Sequence, residues 1–214
     1  MKIQYLGHSS FMLIESTGKT IVTDPFSNIG YEMPKTYADV VTLSHRHKDH
    51  SAHKSVGGNP LIIEKEGCYE IDGVKITGIK AYHDNEQGKE RGSVIIYKFR
   101  MDGLEICHLG DIGQTLDLEL LEQILPVNIL LIPVGGRYTI DAEQAKEYVD
   151  KIMPEIVIPM HYKTKSSTID VDKVTEFTSL FEDYMVEEKD CELEFSRDDM
   201  SGEITKIMVM KRIK

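Results

Sequence analysis

Cysteine is scarce in this chain: only Cys68, Cys107 and Cys191, far apart and never paired as CxxC, occur in 214 residues. That excludes a disulfide framework and reads as small buried hydrophobes in a reducing compartment. Long apolar runs are missing too. None approaches the ~18 residues of a membrane-spanning helix. The N-terminal MKIQYLGHSSFMLIE has one Lys, and has Gly, His and Ser where the apolar centre of a signal peptide would fall. A cytoplasmic location without a membrane partner is the expectation. Positive charge is also in deficit, with 25 Lys and Arg against 36 Asp and Glu and a net charge of −11. Phosphate-backbone binding needs a basic surface, so nucleic acid is excluded as a bulk partner. Bound divalent metal would add positive charge that this count omits.

What is present is ordinary for a globular protein: 41% hydrophobic and 29% charged residues. No linker, repeat or low-complexity segment divides the chain. Residues 1–214 are expected to form a single domain, compatible with a monomer or a homo-oligomer. The first half is β-rich, with IQYL, FMLIE, TIVTD, ADVVTLS, PLIIE, VKITGIKAY, SVIIYKF and LEICHLG as candidate strands. Asp102-Gly103 suits a two-residue hairpin turn between the last two. Three helices follow from apolar stripes at Leu116, Leu120, Leu121, Ile124 and Leu125, at Ala142, Ala145, Val149 and Ile152, and at Val174, Phe177, Leu180, Phe181 and Tyr184. Asp141 can cap the second, and Pro154 stops it. NILLIPV and EIVIPMH are continuous apolar runs, as in strands buried on both faces, and ITKIMVM is a final strand. The ten scattered methionines read as packing.

One stretch stands apart. TLSHRHKDHSAH, residues 42–53, holds four of the eight histidines. It is either a solvated loop or a metal site, since neutral imidazole is the commonest protein metal ligand. The rest of the chain bears on the choice, because strand after strand ends on a possible ligand: Asp24, His45, His83, Asp111 and His161. Such ends gather at one rim of a sheet. His45 and His47, two apart on an extended segment, point the same way and can grip one ion. Beyond Lys48 the chain must turn, so Asp49 and His50 face a neighbouring ion. His83 completes the first site and His161 the second, with Asp111 placed to bridge. Open positions remain for water, as a catalytic centre needs. Two ions ~3.5–4 Å apart would hold a hydroxide between them.

The His45-x-His47-x-Asp49-His50 motif, with His83, Asp111 and His161 downstream in order, resembles the metallo-β-lactamase superfamily. YLGHSSF, TDPF, HDNEQGKERG, CHLGDIG, PVGGRYTI and IPMHYKT extend the resemblance over nearly the whole chain, toward bacterial metal-dependent hydrolases of the L-ascorbate-6-phosphate lactonase-like branch. The resemblance implies an α+β fold, a four-layer αβ/βα sandwich of two mixed β-sheets flanked by helices, with metals at one sheet edge. It implies His45, His47 and His83 on one ion, Asp49, His50 and His161 on a second, and Asp111 between them. Zinc suits such histidine-rich ligation, with manganese or iron tolerated. Asp24 is expected to orient the metal-binding loop, and His8 to stand near the metals or the substrate. Asp49, Asp111 and His8 are the candidate catalytic residues. Arg91, Tyr138 and Lys163 are candidate substrate contacts, with Arg91 offering a guanidinium to an anionic group. His53 and His108 are expected outside the ligand set. Gln114 stands where many relatives have His.

The implied function is metal-dependent hydrolysis of a lactone or ester in a small anionic metabolite, by a binuclear centre and its hydroxide. A phosphodiesterase of the same fold is the alternative enzyme, because the scaffold serves many chemistries. A metal- or metabolite-binding module without turnover is the alternative from another class.

Overall fold

The computed structural model describes residues 1–200 and 204–214. The chain opens with β1 (Lys2–Gly7), β2 (Ser10–Ile14) and β3 (Thr20–Thr23). Four short strands follow: β4 (Thr36–Tyr37), β5 (Val40–Thr42), β6 (Val56–Gly57) and β7 (Leu61–Ile63). A meander comes next, of β8 (Gly67–Ile71), β9 (Val74–Tyr82), β10 (Ser93–Met101) and β11 (Leu104–His108). Helices then alternate with strands: α1 (Leu118–Ile124), β12 (Ile129–Pro133), α2 (Ala142–Ile152), β13 (Ile156–Met160) and α3 (Val174–Thr178). The described elements end with β14 (Val186–Lys189), β15 (Glu192–Glu194) and β16 (Lys206–Met210).

Two mixed sheets result. One has six strands in the order β15-β1-β2-β3-β5-β7, and the other has eight, β14-β16-β13-β12-β11-β10-β9-β8. Period-two alternation sends one set of side chains into the space between them. Ile3, Tyr5, Phe11, Leu13, Ile21 and Val40 meet Ile76, Phe99, Ile106, Ile129, Leu131 and Ile158 there. The intervening residues of the apolar runs, Leu130, Ile132 and Val157, face the other way and pack under Leu120, Ile124, Ala145, Val149 and Phe177 of the three helices. These strands are thus buried on both faces, as expected. The outer face of the six-stranded sheet is covered differently. Val22, Val41 and Leu43 lie under Phe26, Ile29 and the small β4–β6 ladder. Among the described residues no α-helix covers that side, so this outer layer is built of loops and that short ladder.

Local chemistry explains the boundaries. Asp102 and Gly103 both take positive φ (49° and 76°), which closes the β10–β11 hairpin as expected. Asp117 caps α1 by accepting from the Leu120 amide at 2.8 Å. Asp141 and Gln144 form a reciprocal capping box on α2. The third helix is a correction: it ends at Thr178, well short of Tyr184. The chain then tightens into turns in which Leu180 and Phe181 donate to the carbonyls three residues back, 3.1 and 3.2 Å away. That winding keeps Phe177 and Phe181 edge-to-face at 4.9 Å while Tyr184 is left in solvent.

Candidate metal centre

Parallel pairing from β11 through β12 to β13, and of β3 with β5, sends the C-terminal ends of these strands to one rim. Asp24 follows β3, His45 lies three residues past β5, His83 follows β9, Asp111 lies three past β11, and His161 follows β13. His8, just past β1, joins them. The rim is backbone-strained: His8, Asp24 and His161 have φ of 54°, 38° and 54°. Left-handed geometry costs a non-glycine residue of order 1 kcal/mol or more and persists only where surroundings enforce it. The enforcement is visible. The His8 carbonyl accepts from the His161 amide and from the Tyr5 hydroxyl, both at 3.0 Å, which ties the two sheets together.

Asp111 sits at the centre, 2% exposed. Its Oδ2 lies 3.1 Å from His50 Nε2, 3.3 Å from His161 Nε2, and 3.7 Å from the Nε2 atoms of both His45 and His83. Donors gather in two groups that share no residue, His45, His47 and His83 in one and His8, Asp49, His50 and His161 in the other, and a third set, Asp24, His45 and His50, overlaps both. Asp111 Oδ1, His50 Nε2 and His8 Nε2 are buried without a hydrogen-bond partner. Leaving such atoms unsatisfied costs roughly 1–3 kcal/mol each. Cations would satisfy lone pairs that nothing in the protein satisfies, so these residues fit divalent metal.

Asp24 organises both groups. Its carboxylate accepts from the Ser44 amide at 2.7 Å, the Ser44 hydroxyl at 2.5 Å and His50 Nδ1 at 3.0 Å. Ser44 in turn faces His45 Nδ1 at 3.0 Å. With protons assigned to both Nδ1 atoms, the His50 and His45 Nε2 lone pairs point at the centre. Both Asp24 oxygens thus accept hydrogen bonds from groups beside the two histidines. His83 and His161 lack such an acceptor, since their Nδ1 atoms are buried without partners.

The field at the site separates the groups. Burial, then the neighbouring His161, pushes His8 down to about 4, so its imidazole is neutral at pH 7. Burial, then His50, lowers His45 to about 3. For His50 burial also favours the neutral form, but Asp111 and Asp24 outweigh it and raise the pKa well above the ordinary value. Without a cation, Nε2 therefore holds a second proton toward Asp111, and a cation would have to displace it to use that lone pair. Asp111 shows the mirror image: burial favours its neutral form, and His161 and His50 overcome that to hold it ionised.

Two glycines let the chain pass close behind the histidines. A Cβ on Gly113 would stand 2.5 Å from the His83 carbonyl oxygen, and one on Gly135 would collide with that of His161. Beside His83 opens a cleft of about 260 Å³ lined by Asp84, Arg91, Gly113, Arg137 and Tyr138. The Arg91 guanidinium lies over the Tyr138 ring at 4.9 Å and donates to the Arg137 carbonyl at 3.5 Å. Its loop is pinned by Asp84, whose carboxylate accepts from the amides of Glu86, Gly88, Glu90 and Arg91 at 2.8–3.1 Å. Lys163 is not brought to this cleft. Its ammonium donates to the Ile169 carbonyl at 2.6 Å. Gln114 also turns away, accepting from the Tyr82 amide at 2.7 Å. His53 Nδ1 faces the Ser51 carbonyl at 3.0 Å, outside both donor groups. His108 is a satisfied core histidine, bonded to the Ser9 carbonyl and the Gly110 amide. A larger cavity of about 720 Å³, between α2 and residues 179–185, holds none of the donors.

Ser44, Asp84, Arg137, Gly113 and Gly135 were not among the expected site residues. HDNEQGKERG carried one legible signal, an Asp followed by Gly-punctuated polar residues, which is the composition of a loop organised by side-chain acceptance.

Comparison with known proteins follows the same lines. Residues 2–161 match the family model of the beta-lactamase superfamily domain. A UPF0173 metal-dependent hydrolase from Thermococcus onnurineus is 31% identical over 193 residues, covering 77% of this chain and 85% of that one. A Thermotoga maritima structure, classed with Zn-dependent hydrolases of the metallo-beta-lactamase superfamily, is 38% identical, covers 99% of both chains and has a TM-score of 0.83. A metallo hydrolase from Ignicoccus hospitalis, 22% identical and covering 100% of this chain and 96% of its own, shares the fold with a TM-score of 0.69.

Proposed function

The chain belongs to the beta-lactamase superfamily domain family and is a metal-dependent hydrolase of the metallo-β-lactamase fold, and from that premise we propose that it cleaves a lactone or ester of a small anionic metabolite at a two-metal centre. The observation that carries the reading is the buried Asp111 carboxylate, faced by four imidazole Nε2 atoms and flanked by two donor groups. His45, His47 and His83 would hold one ion, Asp49, His50 and His161 the other, and Asp111 both. When bound, divalent ions supply Lewis acidity toward the substrate oxygen and lower the pKa of water from 15.7 toward ~7. Five histidine nitrogens suit zinc first, while the carboxylates leave manganese or iron acceptable.

The protein's own side chains supply the rest. Asp24 and Ser44 lock the rings of His50 and His45 so that little reorganisation accompanies reaction. His8 is neutral, buried and within 3.4 Å of the Asp49 carboxylate. A neutral imidazole there can take the proton of the attacking water and then hand it to the leaving oxygen, with Asp49 balancing the transient imidazolium. Arg91, steadied by Tyr138 and by the Asp84-pinned loop, presents a planar fork toward an anionic group of the substrate. Glu86 and Glu90 line the same cleft. The geometry of the fork, rather than net charge, must therefore select the anion. The same fork supports a phosphodiester as the second substrate class. All three cysteines are unpaired, in keeping with a reducing, cytoplasmic setting, but only Cys107 is the buried hydrophobe expected; Cys68 is exposed and Cys191 half-buried. No helix among the described residues is long and apolar enough to cross a membrane.

The test is a panel of lactones, carboxylic esters, thioesters and phosphodiesters offered to zinc- and manganese-reconstituted protein. Turnover highest on anionic lactones or esters supports the proposal. Preference for phosphodiesters would move the substrate class. Inertness toward every member, with metal bound, would favour a binding module.

A further inference from the structure

Away from the cleft beside His83, a second recess of about 290 Å³ opens among Tyr5, Tyr31, Tyr162 and the segment Lys211–Lys214. Its walls are phenol rings, and its lining is mostly carbon. No Asp or Glu side chain lines it among the described residues, although the chain as a whole carries a charge of −11. Three cations do: Lys211, Arg212 and Lys214. Lys211 shares its charge with the exposed Asp190 at 3.4 Å. Arg212 has no carboxylate partner in the described structure. Its guanidinium lies 4.4 Å over the Tyr31 ring and spends one N–H on the Ile213 carbonyl. The remaining N–H groups of the fork are uncommitted.

We propose that this recess is a second ligand site, distinct from the metal centre, for a small carboxylate carried on a flat apolar body. Each element of the class has its own cause. Phenol walls accept a flat, apolar body, with ring-on-ring contacts worth ~0.5–1.5 kcal/mol beyond area burial. The fork of Arg212, pre-set by stacking, offers two parallel N–H groups to a carboxylate. The volume sits at the low end of the ~300–1,000 Å³ of ligand pockets, which restricts the occupant to a small molecule. The recess also touches the frame of the main site. The Tyr5 hydroxyl donates to the His8 carbonyl, Tyr162 follows His161 in the chain, and Gly7 lies so close to Tyr31 that a Cβ there would stand 2.9 Å from its ring. An occupant therefore leans on the residues that hold His8 and His161 in left-handed geometry.

Benzoate is the probe, titrated into metal-loaded protein and followed by tyrosine fluorescence and by ligand-observed NMR. The neutral isostere benzamide and inorganic phosphate serve as comparisons. Saturable benzoate binding is expected, weakened about 10-fold or more in Arg212→Gln, the loss typical of a charged hydrogen bond, and unchanged in Arg91→Ala. Benzamide and phosphate should bind more weakly than benzoate. Should Arg212→Gln fail to fold, Tyr31→Leu removes a wall of the recess and is expected to weaken benzoate likewise. Absence of saturable benzoate binding would overturn the proposal. So would equal affinity in the Arg212 variant, or loss of binding in Arg91→Ala alone, which would place benzoate at the cleft beside His83. Tighter binding of phosphate than benzoate would overturn the aromatic-carboxylate class. None of these outcomes depends on whether the metal centre turns over a substrate.

Discussion

The two rims of the sandwich solve the same problem with opposite chemistry. Where strands β10 and β11 turn, Asp102 takes φ of 49° beside Gly103, and its carboxylate is fully used, accepting from the Ser16 amide at 2.9 Å and its hydroxyl at 2.5 Å. The β8–β9 turn repeats the pattern with Asp72 (φ 49°) and Gly73 (φ 89°). Positive φ costs little there, because Asp-Gly hairpin turns favour it. At the other rim the left-handed residues include His8, Asp24 and His161, all buried; His8 opens the two-residue turn between β1 and β2, whereas Asp24 and His161 lie outside any hairpin. Buried polar atoms there lack partners. One rim is closed by Asp-Gly turns; the other gathers buried left-handed residues beside polar atoms that no protein group satisfies. Such a contrast marks a functional edge more securely than a count of histidines does.

Breaking the contrast at its centre should have the largest effect. Asp111→Asn removes a carboxylate charge from between the two donor groups. Hydrolysis by reconstituted protein is expected to fall at least ~100-fold, the scale of a lost electrostatic contributor of ~2.7 kcal/mol. The circular dichroism spectrum should keep its native shape. Activity within a few-fold of wild type would make Asp111 a structural residue.

Next comes the orienting layer. Asp24→Asn keeps the size of the side chain but loses the charged acceptor of His50 and Ser44. Metal affinity is expected to weaken ~10–100-fold, as for other carboxylates behind ligand histidines, measured by competition with a chromogenic chelator. Unchanged affinity would mean that the His50 ring is held by packing alone.

The substrate contact proposed for Arg91 lies outside the two donor groups. Arg91→Ala should lower kcat/KM on anionic substrates ~10–100-fold, the effect of losing a charged hydrogen bond of ~1.5–3 kcal/mol. Small neutral esters should be hydrolysed nearly as before. Equal losses on both would make Arg91 a prop of the His83 loop.

The smallest effects compare the rims directly. Gly135→Ala forces a Cβ against the His161 carbonyl and is expected to cost ~1–3 kcal/mol of stability, as over-packing does. Metal affinity should weaken with it. Gly103→Ala meets no atom within 4 Å and pays only for its positive φ, about 1 kcal/mol. It should leave metal binding untouched. Denaturant melts alongside metal titrations separate the two; identical metal responses would erase the distinction between the rims.

Much of this was legible in the sequence because it rests on local rules. Asp24, His83 and His161 directly follow strands, so apolar runs and their polar stops located them. The Asp102-Gly103 turn and the Asp141 cap are set by residues adjacent in the chain. What escaped depends on contacts between distant segments. Ser44 matters only because Asp24, twenty residues away, turns toward it. Arg137 meets Arg91 across 46 residues of chain. Gly113 and Gly135 look like ordinary loop glycines until the His83 and His161 carbonyls are placed behind them. The third helix was overextended because spacings of three and four also fit the tighter turns that follow Thr178. The edge strands β14 and β15, VEEK and ELE, gave little apolar alternation. Their charges suit exposed edges, where they discourage pairing with other chains.

The central claim, that the strained rim binds two ions, is tested most directly by elemental analysis. Wild-type protein and Asp111→Asn would be stripped with chelator, reconstituted with zinc, freed of excess metal and analysed in parallel. The account predicts about two zinc ions per wild-type chain, as in two-metal hydrolytic sites, a higher melting temperature for the loaded form, and a loss of occupancy in the variant. Wild-type protein that takes up no zinc or manganese, and melts at the same temperature with and without them, would contradict it.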